Sequence, residues 1–304
     1  AMSKIANQVD SDLYSLYSSV PNWTGTPGQT INSFGDFGKA PQRMDELAVP
    51  ANKRKAILAP ADYWAMLTSF STLFANQGKT AEDALRKAWL GNISNVDVYQ
   101  AQNVPTFTRG TATNTTPAVD GADQVSSYAD VKDTDTQSLL LKNAGNAVTY
   151  VAGDVFTIAD VYAVNPVTKA TQSFLKQFVV TTATAASAGG AVTLTISPAI
   201  IISGAYQNVS ATPADSALIT ILGSASTGYP QNLFFNENAF ALCMVPMELP
   251  DGAAYKARES YKGLSIRIVG DYDIINDVNM WRLDVLYGVK AIDPRLAVRA
   301  SGTA

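Results

Sequence analysis

The sequence predicts an α+β protein in two parts: a helix-and-ribbon domain built from residues 1–111 and 229–304, and an all-β domain, residues 112–228, inserted between them. Three observations carry this reading. Apolar residues recur at helical spacing through much of the first hundred positions. Near Thr111 the composition shifts abruptly to Ala, Thr, Ser, Val and Gly, and the last quarter alternates apolar and polar residues.

Ile5, Val9, Leu13, Leu16, Tyr17 and Val20 share one helical face that stops at Pro21, so a helix is expected from the chain start to about Ser19. No capping residue precedes it, a hint that the polypeptide extends upstream unless Met2 is its start. Residues 22–31 are rich in Gly, Thr and Pro and read as loop, and a short helix is expected around 41–47. Pro60-Ala61-Asp62 opens a stronger helix, because proline suits a first turn and Tyr63, Met66, Leu67, Phe70 and Phe74 follow at helical spacing before Gly78. Thr80 to Asp83 cap another, with Leu85, Ala88 and Trp89 on its apolar side and Gly91 as its stop. The first hundred residues are thus expected to be mainly helical.

Strand-type runs follow at 147–151, 155–164, 173–182, 192–196 and 216–222, each bounded by Gly, Pro, Asn or Asp. Their spacing suits a compact barrel or sandwich. In the tail, Leu264, Ile266 and Ile268, then Trp281, Leu283, Val285, Tyr287 and Val289, predict two half-buried strands joined by a generous loop from Gly270 to Asn279. A two-stranded ribbon is not stable alone, so it needs a partner from its own chain or from neighbouring copies. With Trp281 packed in that way, truncation to Ala would cost about 3–5 kcal/mol.

Of 304 residues, 47% are hydrophobic and 16% charged, ample material for a buried core. The absence of histidine removes Ser-His-Asp and Cys-His catalysis, His-ligated metals and the usual near-neutral proton shuttle. Cys243 is the single cysteine and lies in an apolar run, where a small buried hydrophobe is expected rather than a reactive thiol. There is no disulfide framework and no signal-peptide pattern, and the longest apolar stretch, 191–202, is broken by Thr, Ser and Pro and falls short of a membrane span. A net charge of −4, with basic clusters only at 53–55 and 86–87, argues against tight nucleic-acid binding.

Asp271, Asp273 and Asp277 are spaced as carboxylates that hold calcium can be, but they lack the glycine and closing glutamate of the known loop and read as a solvated turn. Asp120, Asp123, Asp130, Asp133 and Asp135, with Lys132 among them, read as an acidic loop, or as a docking loop for a basic patch on a neighbouring subunit. In the docking case, Lys at 130 and 133 would weaken assembly in a salt-sensitive way. Gly35-Asp36-Phe37-Gly38-Lys39 lacks the spacing of a phosphate loop and reads as ordinary loop. Sequons begin at Asn22, Asn92, Asn114 and Asn208, which without a secretion route reflect the abundance of Thr and Ser. No catalytic, cofactor-binding or metal-binding residue is assigned.

One family fits these parts. The stretches from Asn232 through Pro246, Gly263 to Asp271 and Trp281 to Arg295, with the core Leu286-Tyr287-Gly288-Val289 and the following Pro294-Arg295, resemble the tail of the major coat proteins of P22-type tailed bacteriophages. Gly153-Asp154-Val155-Phe156-Thr157-Ile158 with 159–164 is similar to a strand pair in that family's inserted β-barrel. The resemblance implies an HK97-like capsid fold with a spine helix, peripheral and axial domains and an inserted barrel, the first helix being the end of the spine. The family's N-terminal arm and extended loop have no counterpart here. It further implies a major capsid protein of the virion, with no enzymatic activity and no cofactor, that assembles in the host bacterial cytoplasm into an icosahedral shell. Its partners would be its own copies in hexamers and pentamers, scaffolding protein and portal during assembly, and packaged double-stranded DNA enclosed without sequence-specific binding, with no membrane. Alternatives are a nanocompartment shell, a tail or decoration protein, or a glycan-binding protein built on the β-domain.

Overall fold

The computed structural model of the protein describes residues 2–74, 90–113, 116–261 and 263–303. The chain divides into two compact units, Ala1–Leu16 with Phe240–Ile292, and Tyr17–Ala239 with Asp293–Ala304.

The chain opens with α1 (Met2–Tyr14), followed by a 3-10 turn (Ser15–Ser19), as the helical periodicity requires. In the second unit the first strand is β1 (Trp23–Thr24), within a stretch expected to be loop. Next comes α2 (Phe34–Glu46), which corrects two expectations at once. The helix begins well before Pro41, and the Gly35 to Lys39 segment forms its opening turns rather than a loop. Ser33 supplies the cap: its hydroxyl accepts from Asp36 N–H at 3.1 Å and donates to the Asp36 carboxylate at 2.8 Å. Burial of Phe37, Ala40, Pro41 and Met44 on one face then outweighs the two glycines.

A βαβ crossover follows: β2 (Arg54–Leu58), α3 (Pro60–Phe74) and β4 (Val96–Gln100), with β2 and β4 parallel and β3 (Asn92–Ile93) antiparallel to β4. The described part of the first hundred residues is mainly helical, as expected, and it also supplies four strands of a mixed sheet that the sequence did not announce. Charge hid β2, because Arg54 is buried within it. Its guanidinium donates to Asp45 at 2.7 Å and to the carbonyls of Val49 and Pro50 at 2.5 and 2.9 Å, which satisfies an ion that otherwise would not enter a strand. Pro60 opens α3 as expected, and the helix expected after Thr80 lies outside the described residues. β5 (Thr106–Thr108) leads out of this region.

The β-rich block contributes β6 (Ala118–Val119), a short α4 (Tyr128–Val131), β7 (Gln137–Lys142), β8 (Thr149–Tyr150), β9 (Val155–Val164), β10 (Thr171–Val180), β11 (Thr184–Ala185), β12 (Val192–Ser197) and β13 (Ile219–Ile221). Six of these pair antiparallel in the order β13-β9-β10-β12-β7-β6. The two ends of the sheet also meet: Ala118 bridges Leu218, Ile219 N–H donates to Pro117 O at 2.8 Å and Val119 N–H to Ala217 O at 3.0 Å. The sheet is thus a closed barrel with no free edge. Leu139, Leu141, Phe156, Ile158, Phe178, Val180, Leu194, Ile196, Ile219 and Ile221 fill its interior.

β14 (Gly228–Pro230) pairs with β5, and β15 (Asn232–Asn236) returns to the mixed sheet, which β21 (Ala297–Ala300) completes in the order β1-β21-β15-β2-β4-β3. Phe234 sits at the centre of that core, edge-on to Phe37 at 5.0 Å, with Met44, Leu58, Tyr63, Met66, Val98 and Val298 around it.

The first unit holds β16 (Phe240–Met244), β17 (Tyr255–Tyr261), β18 (Leu264–Asp273), β19 (Val278–Asp284) and β20 (Tyr287–Ala291). β17, β18 and β19 form one antiparallel sheet, while β20 pairs with β16 beside α1, where Tyr287 hydroxyl donates to Asp12. Here too the expectation is corrected. The tail is three strands rather than two, because the chain leaves the sheet at Val285-Leu286, and the loop is only residues 274–277. Alternation persisted in sequence across that break because both strands keep their pleat, which is why one strand was read where two exist.

Candidate assembly surfaces

Gln177 is one of several side chains that join the barrel to the mixed sheet and its helices. β1 is an edge strand whose outward N–H and C=O at Trp23 have no strand partner, and Gln177 of β10 replaces it. Its carbonyl accepts Trp23 N–H at 2.8 Å and its amide donates to Trp23 O at 2.8 Å, both within the buried interior. A register shift between Leu175 and Gln177 turns this side chain out of the barrel wall. Around it Trp23, Tyr229, Val155, Val179 and Leu222 form a separate apolar cluster. Gly25, at φ +83°, passes so close to Ser301 O that a Cβ would lie 1.9 Å away.

Arg299, 1% exposed, sits at the same junction. It donates to Gly153 O at 2.8 Å and more distantly to Gln231 and Ser18 O, with the rings of Tyr17 and Trp23 each 5.4 Å away. Burial pushes its pKa down to about 9, against the opposing pull of Tyr17 and Asp154. Asp154 is raised by its own burial, although the amides of Val151 and Gly110 favour its ionised form.

The acidic segment is divided in two by the fold. Asp135 turns inward, accepts Ala199 N–H at 3.4 Å and is raised by burial. It faces Lys176 of β10, whose ammonium burial pushes down to about 8; Asp135 opposes that shift, while Arg295 and Arg43 add to it. Asp120 and Asp215 hold Lys142 at 4.0 and 2.6 Å, Asp130 accepts from Ser127 at 2.6 Å, and Gln124 ties the segment to β7 through Leu140 N–H at 2.7 Å. Asp123 adopts φ +57° in a turn, and Lys132 and Asp133 follow α4 on the exposed side.

On the first unit, Asp271, Asp273 and Asp277 converge on their own turn. Asp273 accepts Ile275 N–H at 2.9 Å and the Asn276 amide at 2.7 Å, and these hydrogen bonds, that of Asn276 foremost, lower its pKa. Tyr272 hydroxyl donates to Asp277 at 2.5 Å, and Asp271 accepts Tyr272 N–H at 2.9 Å. Among the described residues no three His, Cys, Asp or Glu side chains cluster as a metal site. Cys243 is exposed, contrary to expectation, because the β16–β20 ribbon is too narrow to cover both of its faces. Trp281 is 60% exposed, stacked at 5.6 Å on Tyr255 and lying against Gly270, where a Cβ would meet its ring at 2.7 Å. The strands are half-buried as expected at Ile266, Ile268, Leu283, Val285, Tyr287 and Val289, but Leu264 and Trp281 are exposed, together with Tyr255, Tyr261 and Tyr272 on the same face of the β17–β18–β19 sheet, while Met280 is exposed on the opposite face.

Of the sequons, Asn22 is buried and donates to Ala297 O at 3.1 Å, Asn208 uses its amide on Ala199 O at 2.7 Å, Asn92 donates to Asp97 at 2.9 Å, and Asn114 lies outside the described residues. No described helix is long and apolar enough to cross a membrane. Gln177, Lys176 and Arg299 carried no distinguishing signal in the sequence beyond polar residues interrupting apolar runs.

A folded unit with a closed barrel, a mixed sheet and a separate unit presenting an open apolar sheet is a structural protein built for contact with other chains. The family model described as "P22 coat protein - gene protein 5" matches residues 1–302. The chain therefore belongs to the P22 coat protein family. It is a major capsid protein of a tailed bacteriophage, in a structural, non-enzymatic family whose members assemble with their own copies into the virion shell. Among solved structures it is similar to the CUS-3 coat protein I-domain, at 32% identity over 36% of this chain and 97% of that one, with a TM-score of 0.26. It is also similar to a chain in the capsid of the cyanophage P-SCSP1u, at 8% identity over 98% of this chain and 61% of that one, with a TM-score of 0.37. The chain thus spans about three fifths of the cyanophage capsid chain. No curated protein matches.

Proposed function

We propose that the subunit tiles an icosahedral shell in the HK97-like manner, in hexamers and pentamers. The observation that carries this is the open β17–β18–β19 sheet. A sheet face with Trp281, Tyr255, Leu264 and Tyr272 exposed is costly in an isolated chain and is relieved when copies cover one another. In this reading α1 is the end of the spine helix, residues 1–111 and 229–304 make the capsid core, and 112–228 are an insertion domain that stiffens the subunit and meets neighbours. The closed barrel and its anchorage through Gln177 support that division of labour.

Scaffolding protein and portal are proposed partners during assembly in the host bacterial cytoplasm, and double-stranded DNA is the enclosed cargo. The mild net charge of −4 supports an inner wall that holds the genome without gripping it. No catalytic residue, cofactor or metal enters this function. Sedimentation and negative-stain microscopy of the native particle test it: closed shells containing this chain as the dominant protein are expected, and a chain that stays monomeric or dimeric in the phage lysate would overturn it.

A further inference from the structure

The turn joining β18 to β19 carries the two most exposed large apolar side chains among the described residues, Ile274 at 84% and Ile275 at 92%. Turns of this length favour Gly, Asn, Asp and Ser, so adjacent isoleucines there serve nothing within the subunit. The turn is nevertheless held in one shape by Asp273, Asn276, Tyr272 and Asp277 through the hydrogen bonds described above. An apolar tip held rigid before binding is a preorganised anchor. Three carboxylates stand behind it, and no Lys or Arg lies between Gly270 and Trp281.

Its complement must be concave, apolar at the floor and positive at the rim. The second unit has a concave cleft of about 460 Å³ between α2 and β10. Trp23, Phe174 and Leu222 supply its apolar wall, and Lys39, Arg43 and Glu46 line it from α2. Arg43 lies 3.4 Å above the Phe174 ring and 3.3 Å from Glu46, so its guanidinium is fixed in place. Lys39 keeps 44% of its side chain in solvent, 3.8 Å from Asp36, and is available to a second carboxylate.

We propose that the β18–β19 turn of one copy seats Ile274 and Ile275 in the α2–β10 cleft of a second copy, with Asp271 and Asp277 facing Lys39 and Arg43. Two different surfaces meet in such a contact, so it is heterologous and propagates into rings or lattices instead of ending at a dimer. The inference rests on the shell-subunit reading and adds to it which surfaces join.

The test uses the full coat chain carrying Cys243→Ser, with Ile275→Cys and Ser173→Cys introduced singly and together. Oxidised particles of the double variant are expected to give a ladder of covalent oligomers on a non-reducing denaturing gel, absent from either single variant and from dilute unassembled chain. Intact particles with no ladder, or with only an internally linked monomer, overturn the docking while the shell reading stands. A ladder from Ile275→Cys alone places the tip against its own copy in a neighbour and also overturns it. If the Cys243→Ser chain forms no particles while the unaltered chain does, the same pair is read in the unaltered background against Cys243 controls; if neither forms particles, the shell reading falls with the contact. As a second readout, Asp271→Lys with Asp277→Lys is expected to lower particle yield about tenfold and Lys39→Glu to restore part of it. Failure of Lys39→Glu to restore yield counts against the proposed pairing.

Discussion

Replacing Gln177 with leucine removes the side chain that completes the edge of β1 while nearly preserving side-chain volume. The substitution leaves Trp23 N–H and C=O buried, each having lost a 2.8 Å hydrogen bond. An orphaned buried backbone group costs about 1–3 kcal/mol, so the pair predicts about 2–6 kcal/mol of lost stability. In a unit of this size that is roughly 4–24 °C in melting temperature, at about 2–4 °C per kcal/mol. Tryptophan fluorescence in a urea titration reads it directly, because Trp23 is the residue released. Gln177→Glu serves as the control: its carboxylate still accepts Trp23 N–H but repels Trp23 O, so a loss comparable to that of leucine is expected near pH 7. A Gln177→Leu midpoint within the equivalent of about 0.5 kcal/mol of the parent chain would refute the view that this amide acts as the missing strand.

Phe234→Ala, at the centre of the mixed-sheet core beside Phe37, should cost about 3–5 kcal/mol in urea unfolding, and a loss below about 1 kcal/mol would place the core elsewhere. Lys176 is held at about 8 against an ordinary 10.5, so between those values the unfolded chain binds more protons and stability should rise with pH. Lys176→Met should abolish the rise below about pH 9, where Arg299 does not yet contribute, and stabilise the chain at pH 7, as followed by melts across pH 7–9; a parent chain losing stability over the same window would contradict it. Trp281→Ala should cost only about 1 kcal/mol in the unassembled chain, the worth of its stacking on Tyr255, yet sharply reduce particle yield. A loss of about 3 kcal/mol or more before assembly would mean that the open sheet is covered within the subunit.

How much could be read from sequence depended on whether local pattern or distant pairing decided the structure. The 155–164 strand was legible residue for residue, and α3 announced itself through Pro60, because period and punctuation suffice for both. β2 was not legible, since its Arg54 is made tolerable only by Asp45 and two carbonyls that the fold brings to it. β1 and β21 are short strands paired across more than 270 residues, and no local pattern encodes such a pairing. Cys243 illustrates the opposite error, an apolar residue in an apolar run read as buried, and Trp281, read as half-buried against a partner, is exposed because a two- or three-stranded sheet in an isolated subunit leaves one face uncovered. Of the assembly surfaces, the acidic turn at 271–277 was visible as composition, but its isoleucine tip and the distant α2–β10 cleft become meaningful only in three dimensions.

The central claim is that this chain is a shell subunit whose barrel stands on a mixed sheet while its open β17–β18–β19 sheet is covered by other copies. Electron cryomicroscopy of the intact particle tests it most directly. The account predicts a closed shell of repeated copies in which density from a neighbouring copy lies against Trp281 and Tyr255. A shell in which that sheet still faces solvent would contradict it.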